Sequence, residues 1–211
     1  MKVADLLEAD IPRISTNRRP LQKSAKHKIL GRGVQGMAQQ HARDPNKVIK
    51  TSEIYHENPE KDEYVQFIKL ILDHQDNPFF PRIHKAKLVY NNRTDTYELV
   101  AVMEKLVSLR NEKIRDVAEH LFNQMDIKVE DAVVHERDKE DFRWLFDWFK
   151  DPENRKKIVQ HSKNPQFKQA MKLLEPYIQK YGQDLHGGNI MVRLTGHGPQ
   201  LVIIDPFSIS D

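Results

Sequence analysis

Cysteine is absent from this chain. That excludes a disulfide framework and any cysteine-based metal site, and it is compatible with a reducing compartment. No uninterrupted apolar run approaches the length that crosses a bilayer. Met1-Lys2-Val3-Ala4-Asp5 lacks the apolar core of a signal peptide, so a cytoplasmic protein without a membrane partner is expected. Internal repeats and low-complexity tracts are missing too. Charge of one sign is not in excess: the net charge is +3, with basic and acidic residues interspersed, which gives no cue to nucleic-acid binding. What is present is a globular balance, 38% apolar and 31% charged over 211 residues. That length suits one sizeable core or two small lobes.

The informative stretch lies near the C-terminal end. Asp184-Leu185-His186-Gly187-Gly188-Asn189 is a polar loop that opens into apolar Ile190-Met191-Val192. Thr195-Gly196-His197-Gly198-Pro199 is a turn signal, and Leu201 to Ile204 reads as the returning strand of a hairpin ending on Asp205. The hairpin is expected to bring Asp205 beside Asn189 and Asp184. Two acids and an amide suit a hard divalent cation, which takes oxygen ligands. They also suit phosphoryl transfer, where one carboxylate orients the attacking hydroxyl and the others hold Mg²⁺. The competing reading is a solvated surface hairpin.

Earlier in the chain, residues 1–28 are polar and basic and read as a loosely docked arm, with substrate docking as the alternative. Gly31, Gly33 and Gly36 form G-x-G-x-x-G. The residues after them favour strand–turn–strand over the helix that a Rossmann fingerprint needs. Such a hairpin would let backbone N–H groups approach phosphates. Val48-Ile49-Lys50 is an apolar strand with a lysine whose ammonium needs an anion or water. Pro59 suits a helix start, and Tyr64, Phe67, Ile68 and Ile71 make a helical stripe over 59–74. Glu60 and Glu63 border that stripe, and either would reach Lys50, Glu63 being preferred as lying further inside the helix. Strands are expected at Ile83–Tyr90 and Thr96–Met103. Helices are expected near 111–125, 138–160 with a break at Asp151-Pro152, and 165–181. Trp144, Leu145, Trp148 and Phe149 read as core aromatics.

In that order the elements resemble the protein-kinase-like superfamily: glycine-rich hairpin, strand lysine, helix glutamate, hairpin, helices, D-x-x-x-x-N and a later Asp. Asp184-Leu185-His186-Gly187-Gly188-Asn189 looks like the D-x-H-x-x-N loop of aminoglycoside and choline phosphotransferases. With Asn189-Ile190-Met191 and Asp205-Pro206 it is also similar to short serine/threonine protein kinases of tailed bacteriophages. Gly182-Gln183 stands where eukaryotic kinases carry His-Arg.

The resemblance implies an α+β, bilobal fold: an N-lobe of antiparallel sheet and one helix over 29–106, then a minimal, mainly helical C-lobe over 107–211. It implies ATP and Mg²⁺ as cofactors. Gly31, Gly33 and Gly36 would cover the phosphates, with Lys50 on the α/β-phosphates and Glu63 as its partner. Met103, Glu104 and Lys105 would be the adenine-holding hinge, Asp184 the catalytic Asp that orients the acceptor hydroxyl or takes its proton, and Asn189 and Asp205 the metal ligands. With the chain ending at Asp211, no activation segment is expected. The acceptor would be a host protein in the host cytoplasm, or a small molecule. A kinase-fold protein that binds a partner without turnover is the alternative from another class.

Overall fold

The computed structural model describes residues 11–16, 28–32, 36–54, 56–92, 94–108, 124, 151–185 and 189–207. The chain is mixed α+β and divides into two compact units. The first comprises Met1–Gln75 with Arg82–Lys105, the second Asp76–Pro81 with Leu106–Asp211.

The first unit is built on a sheet of β1 (Arg13–Thr16), β2 (Ile29–Arg32), β3 (Gly36–Gln40), β4 (Lys47–Ile54), β5 (Ile83–Asn91) and β6 (Thr96–Glu104). Their spatial order is β1-β5-β6-β4-β3-β2. Five strands are antiparallel, and β1 joins the edge parallel to β5. β6 lies between β5 and β4, which explains the continuous buried run Glu98 to Ala101 in place of simple alternation. The β5–β6 connection turns through Asp95, whose φ of 56° is a left-handed conformation that aspartate tolerates.

The helical stripe appears in α1 (Glu63–Asp73), which packs against β5 with Val65, Phe67, Ile68 and Ile71 inaccessible to solvent. Its start corrects the expectation. Pro59–Lys61 is a single 3₁₀ turn, and the α-helix begins only after Asp62. The Asp62 carboxylate caps it, accepting from the N–H groups of Tyr64 and Val65 at 3.0 Å each. Glu63 is therefore the first helical residue, not one a turn inside.

The N-terminal segment also departs from a loose arm. Ile11 is buried, Leu88 N–H donates to Pro12 O, and Arg13 reaches Glu60. Four residues suffice for β1 because the sheet already exists and needs only an edge partner. The remainder of 1–28, apart from Lys28, falls outside the described residues.

The second unit holds β7 (Val107–Ser108), α2 (Pro152–His161), α3 (Pro165–Tyr181), β8 (Ile190–Thr195) and β9 (Gly198–Ile203), with the strands in the order β7-β8-β9. α3 obeys its sequence signals at both ends. Asn164 accepts from Gln166 and Phe167 N–H, Pro165 opens the first turn, and Gly182 closes it at φ 81°, ψ 168°. Apart from Gln124, which is helical, the expected helix near 111–125 lies outside the described residues, as do the part of the next one before Asp151 and the aromatics 144–149.

Residues 76–81 belong to this unit although unit 1 flanks them in sequence. Asn77 donates to Gln166 O, Arg193 donates to Pro78 O and Phe80 O, and Ile203 N–H donates to Phe79 O. Phe79 meets Phe167 edge to face at 5.2 Å. Among the described residues no helix is long and apolar enough to cross a membrane.

Candidate functional site

The expected site residues fall in both units. In unit 2, α3 ends at Gly182 and delivers the chain into Asp184, while the β8–β9 hairpin carries Asn189 at its start and Asp205 just past its end. Asn189 Nδ2 donates to Asp184 Oδ2 at 2.7 Å and to Asp184 O at 2.9 Å. Two backbone bonds hold the segment around Asp205 against them. Ile204 N–H donates to Asn189 O at 2.9 Å, and Asp184 N–H donates to Pro206 O at 2.8 Å. The second of these bonds belongs to an antiparallel bridge between Gln183 and Phe207. The hairpin thus brings together the backbones that carry Asp184, Asn189 and Asp205. Asp184 and Asn189 are half-buried, as is Asp205. His186, Gly187 and Gly188 lie outside the described residues.

The donor set suits a hard cation. Asn189 uses its nitrogen on Asp184, so its amide oxygen is the atom that could serve a cation, with the backbones of Asp184 and Asp205 held close by. Among the described residues no three His, Cys, Asp or Glu side chains converge to cage a metal. Mg²⁺ does not require such a cage. It is usually held by one or two carboxylates, with waters and substrate phosphates completing the octahedron.

In unit 1, Lys50 sits on β4 opposite Ala101 of β6 and Ala38 of β3. Its Nζ lies 3.8 Å from the centroid of the Tyr64 ring, a cation–π contact with the first turn of α1. The neighbouring Glu63 is 4% exposed. Glu60, the other expected partner, is engaged elsewhere: Arg13 reaches it at 2.5 Å, and the buried Lys69 also bonds to it. Burial pushes the Glu60 carboxyl up, but the hydrogen bonds from Lys69 and Arg13 outweigh it and hold the group below its ordinary value. Asp62 goes the other way. Burial pushes it up to about 6, with Glu63 adding to the rise against the two capping N–H bonds.

Gly31 and Gly36 flank the β2–β3 turn, and Gly33 lies outside the described residues. The two glycines differ. A Cβ at Gly31 would meet nothing within 4 Å, whereas one at Gly36 would lie 2.4 Å from Thr51 O. Gly36 is thus needed for the approach of β3 to β4 whatever else it does. Met103 pairs with Val48 and Ile83 and is buried. Glu104 N–H donates to Arg82 O at 3.0 Å, and its carboxylate accepts from Arg82 N–H at 2.8 Å. Lys105 N–H donates to Asn46 O, and its Nζ donates to Gln40. The backbone of the expected hinge is therefore held at both ends of the segment 104–105.

Sequence reasoning missed Tyr64 as the contact of Lys50, Asp62 as the helix cap, and Arg155, which holds Gln183. An acid just before an apolar stripe was a usable signal for the cap. The other two depend on non-local packing that no local pattern encodes. No protein-family model matches the chain, and no curated protein matches it.

Proposed function

We propose that this protein is an ATP- and Mg²⁺-dependent phosphotransferase with a bilobal, protein-kinase-like arrangement, acting on a serine or threonine hydroxyl of a host protein in the manner of the short phage kinases it resembles. The observation that carries the reading is the Asn189–Asp184 hydrogen bond, with Ile204 and Pro206 tied to the same two residues on either side of Asp205. A D-x-x-x-x-N loop and a later Asp are weak as a string. Their convergence through a hairpin is what the chemistry requires.

In this reading Asp184 accepts a hydrogen bond from the acceptor hydroxyl and aims its oxygen at the γ-phosphorus. The new O–P bond forms as the bond from the γ-phosphorus to the β–γ bridging oxygen breaks. ADP leaves, and the hydroxyl proton passes to Asp184. The Asn189 amide restrains the Asp184 carboxylate so that it does not reorganise during transfer. Mg²⁺, when bound through Asn189 and Asp205, would neutralise charge on the transferring phosphates. Lys50 would supply positive charge to the α/β-phosphates, with Tyr64 against it and Glu63 as its proposed partner. The β2–β3 turn would cover the phosphates, and the backbone of Met103 to Lys105 would hold the adenine.

The test is incubation with γ-labelled ATP and Mg²⁺, alone and with a bacterial lysate, beside Asp184→Ala and Asp205→Ala. Label on the protein itself or on discrete lysate proteins, lost in both variants, supports a protein kinase. ATP turnover that only a small-molecule fraction stimulates transfers the reading to a small-molecule kinase. No turnover, with nucleotide-dependent thermal stabilisation intact, overturns the enzyme and leaves a nucleotide-binding partner protein.

A further inference from the structure

Arg155 lies on α2 and is 6% exposed. A guanidinium so buried is costly unless its charge and donors are answered. Glu175 is one answer: Arg155 Nε is 3.7 Å from its Oε2, on a side chain that is 44% exposed. Another contact is to a neutral group. Arg155 Nη1 donates to Gln183 Oε1 at 2.9 Å. Gln183 is the residue immediately before Asp184.

The backbone here is held as well. Gln183 bridges Phe207 through the next N–H, that of Asp184, which donates to Pro206 O. Phe207 is anchored in turn, its ring stacked on Tyr177 at 5.7 Å and tilted against Tyr181 at 6.1 Å, both on α3. The bridge pins the loop at one residue pair, and the two Asn189 bonds hold it on the Asp184 side. A further attachment on the α3 side of Asp184 would limit turning of the backbone at Gln183. The Gln183 side chain supplies it.

We propose that Arg155 is a positioning residue for Asp184, acting through the Gln183 side chain to fix the direction in which the loop presents its carboxylate. The geometry of the brace stands by itself; that the loop performs phosphoryl transfer rests on the function proposed above. Asn189 carries the constraint onward through its two bonds to Asp184.

Residue-resolved hydrogen exchange on the full chain tests it, with Gln183→Leu, Gln183→Glu and Arg155→Lys compared with the unaltered protein. Gln183→Leu keeps the backbone bridge and removes the acceptor. Exchange at the Asp184 and Ile204 amides should rise by about tenfold or more, the loss of one charge-assisted hydrogen bond. Exchange at Leu174 and Ile178 in α3 should stay unchanged. Gln183→Glu retains an acceptor for Arg155 and should keep the slow exchange, and Arg155→Lys should fall between. Unchanged exchange at Asp184 in Gln183→Leu overturns the proposal. So does an equal rise in α3, since that would mean Arg155 merely holds helices together. ATP turnover in the same proteins separates the two ideas. Gln183→Leu should lower kcat and leave KM for ATP unchanged. An unaltered protein with no turnover refutes the phosphotransferase reading, while the exchange pattern still decides the brace.

Discussion

Alanine at Gly36 and alanine at Gly31 should have opposite effects on stability. Gly36 pairs with Ser52 across β3 and β4, two residues from the Ala38–Lys50 pair. An added Cβ would sit 2.4 Å from the Thr51 carbonyl oxygen, about 1 Å inside the 3.4 Å at which ordinary contact begins, and 3.1 Å from Ser52 Cα. Both neighbours are backbone, so relief requires the strands to part. Overpacking of this kind costs about 1–3 kcal/mol. Restricting the unfolded chain offsets roughly 0.4–1 kcal/mol of that. The net loss of about 1–2 kcal/mol corresponds to a fall in Tm of roughly 2–8 °C for a chain of this size. At Gly31 the same methyl meets nothing within 4 Å and φ lies outside the left-handed region. Only the unfolded-state gain remains, and Tm should hold or rise slightly. Thermal unfolding without ligand, followed by titration with Mg²⁺-ATP, gives both answers. In the proposed function both variants bind nucleotide more weakly, but only Gly36→Ala loses stability without it. A Gly36→Ala protein at least as stable as Gly31→Ala would refute the argument from strand approach.

Three further outcomes are expected. The Asp62 carboxyl is raised in the folded state, so the folded protein holds its proton more tightly. This contribution is fully present below the ordinary carboxylate range and is lost as pH rises through about 6. Asp62→Asn keeps a good cap and cannot ionise. It should be the more stable protein at pH 7 by up to roughly 3 kcal/mol and lose that advantage near pH 4, as denaturant titrations at the two pH values would record. Glu60 has the reverse sign. Its lowered carboxyl stabilises above the ordinary range, and that contribution is lost as pH falls through the folded-state value. Glu60→Gln should therefore loosen β1 at neutral pH by about 1 kcal/mol, given partial exposure. Faster exchange of the Leu88 N–H, which bonds to Pro12 O, would report it. Gly182→Ala forces a side chain into φ 81°, ψ 168°, a strain of about 1–3 kcal/mol immediately before Gln183 and Asp184. A lowered Tm together with lost ATP turnover checks it, and an unchanged Tm would contradict the strain.

The sequence made local structure readable where one residue type had one local task. Pro165 and Gly182 bound α3 because a missing N–H and a positive φ each suit a single place in a helix. Two short apolar runs, Ile190–Val192 and Leu201–Ile204, about the Gly-rich turn predict the β8–β9 hairpin, and the hairpin predicts that Asp205 returns beside Asn189 and Asp184. The misses are non-local. β1 is a four-residue strand in a basic stretch, and its parallel pairing with β5 reflects an available sheet edge more than its own propensity. Glu60 and Glu63 are equivalent on a helical projection. Arg13, far earlier in the chain, and Lys69 engage the first. The capping carboxylate of Asp62 breaks the expected long helix between the two, which makes Glu63 its first residue.

The stitched segment 76–81 has a consequence for how this protein is made. Phe79 and Phe80 are each 1% exposed in the finished protein. Groups that pack on or tether this segment come much later: Phe167 on Phe79, Ile203, and Arg193, which stands 115 residues after Pro78. A nascent chain that has completed the strands around this segment still lacks all three. Fragments that stop before Phe167 should therefore be aggregation-prone and chaperone-bound even though every strand of the first sheet has already been synthesised.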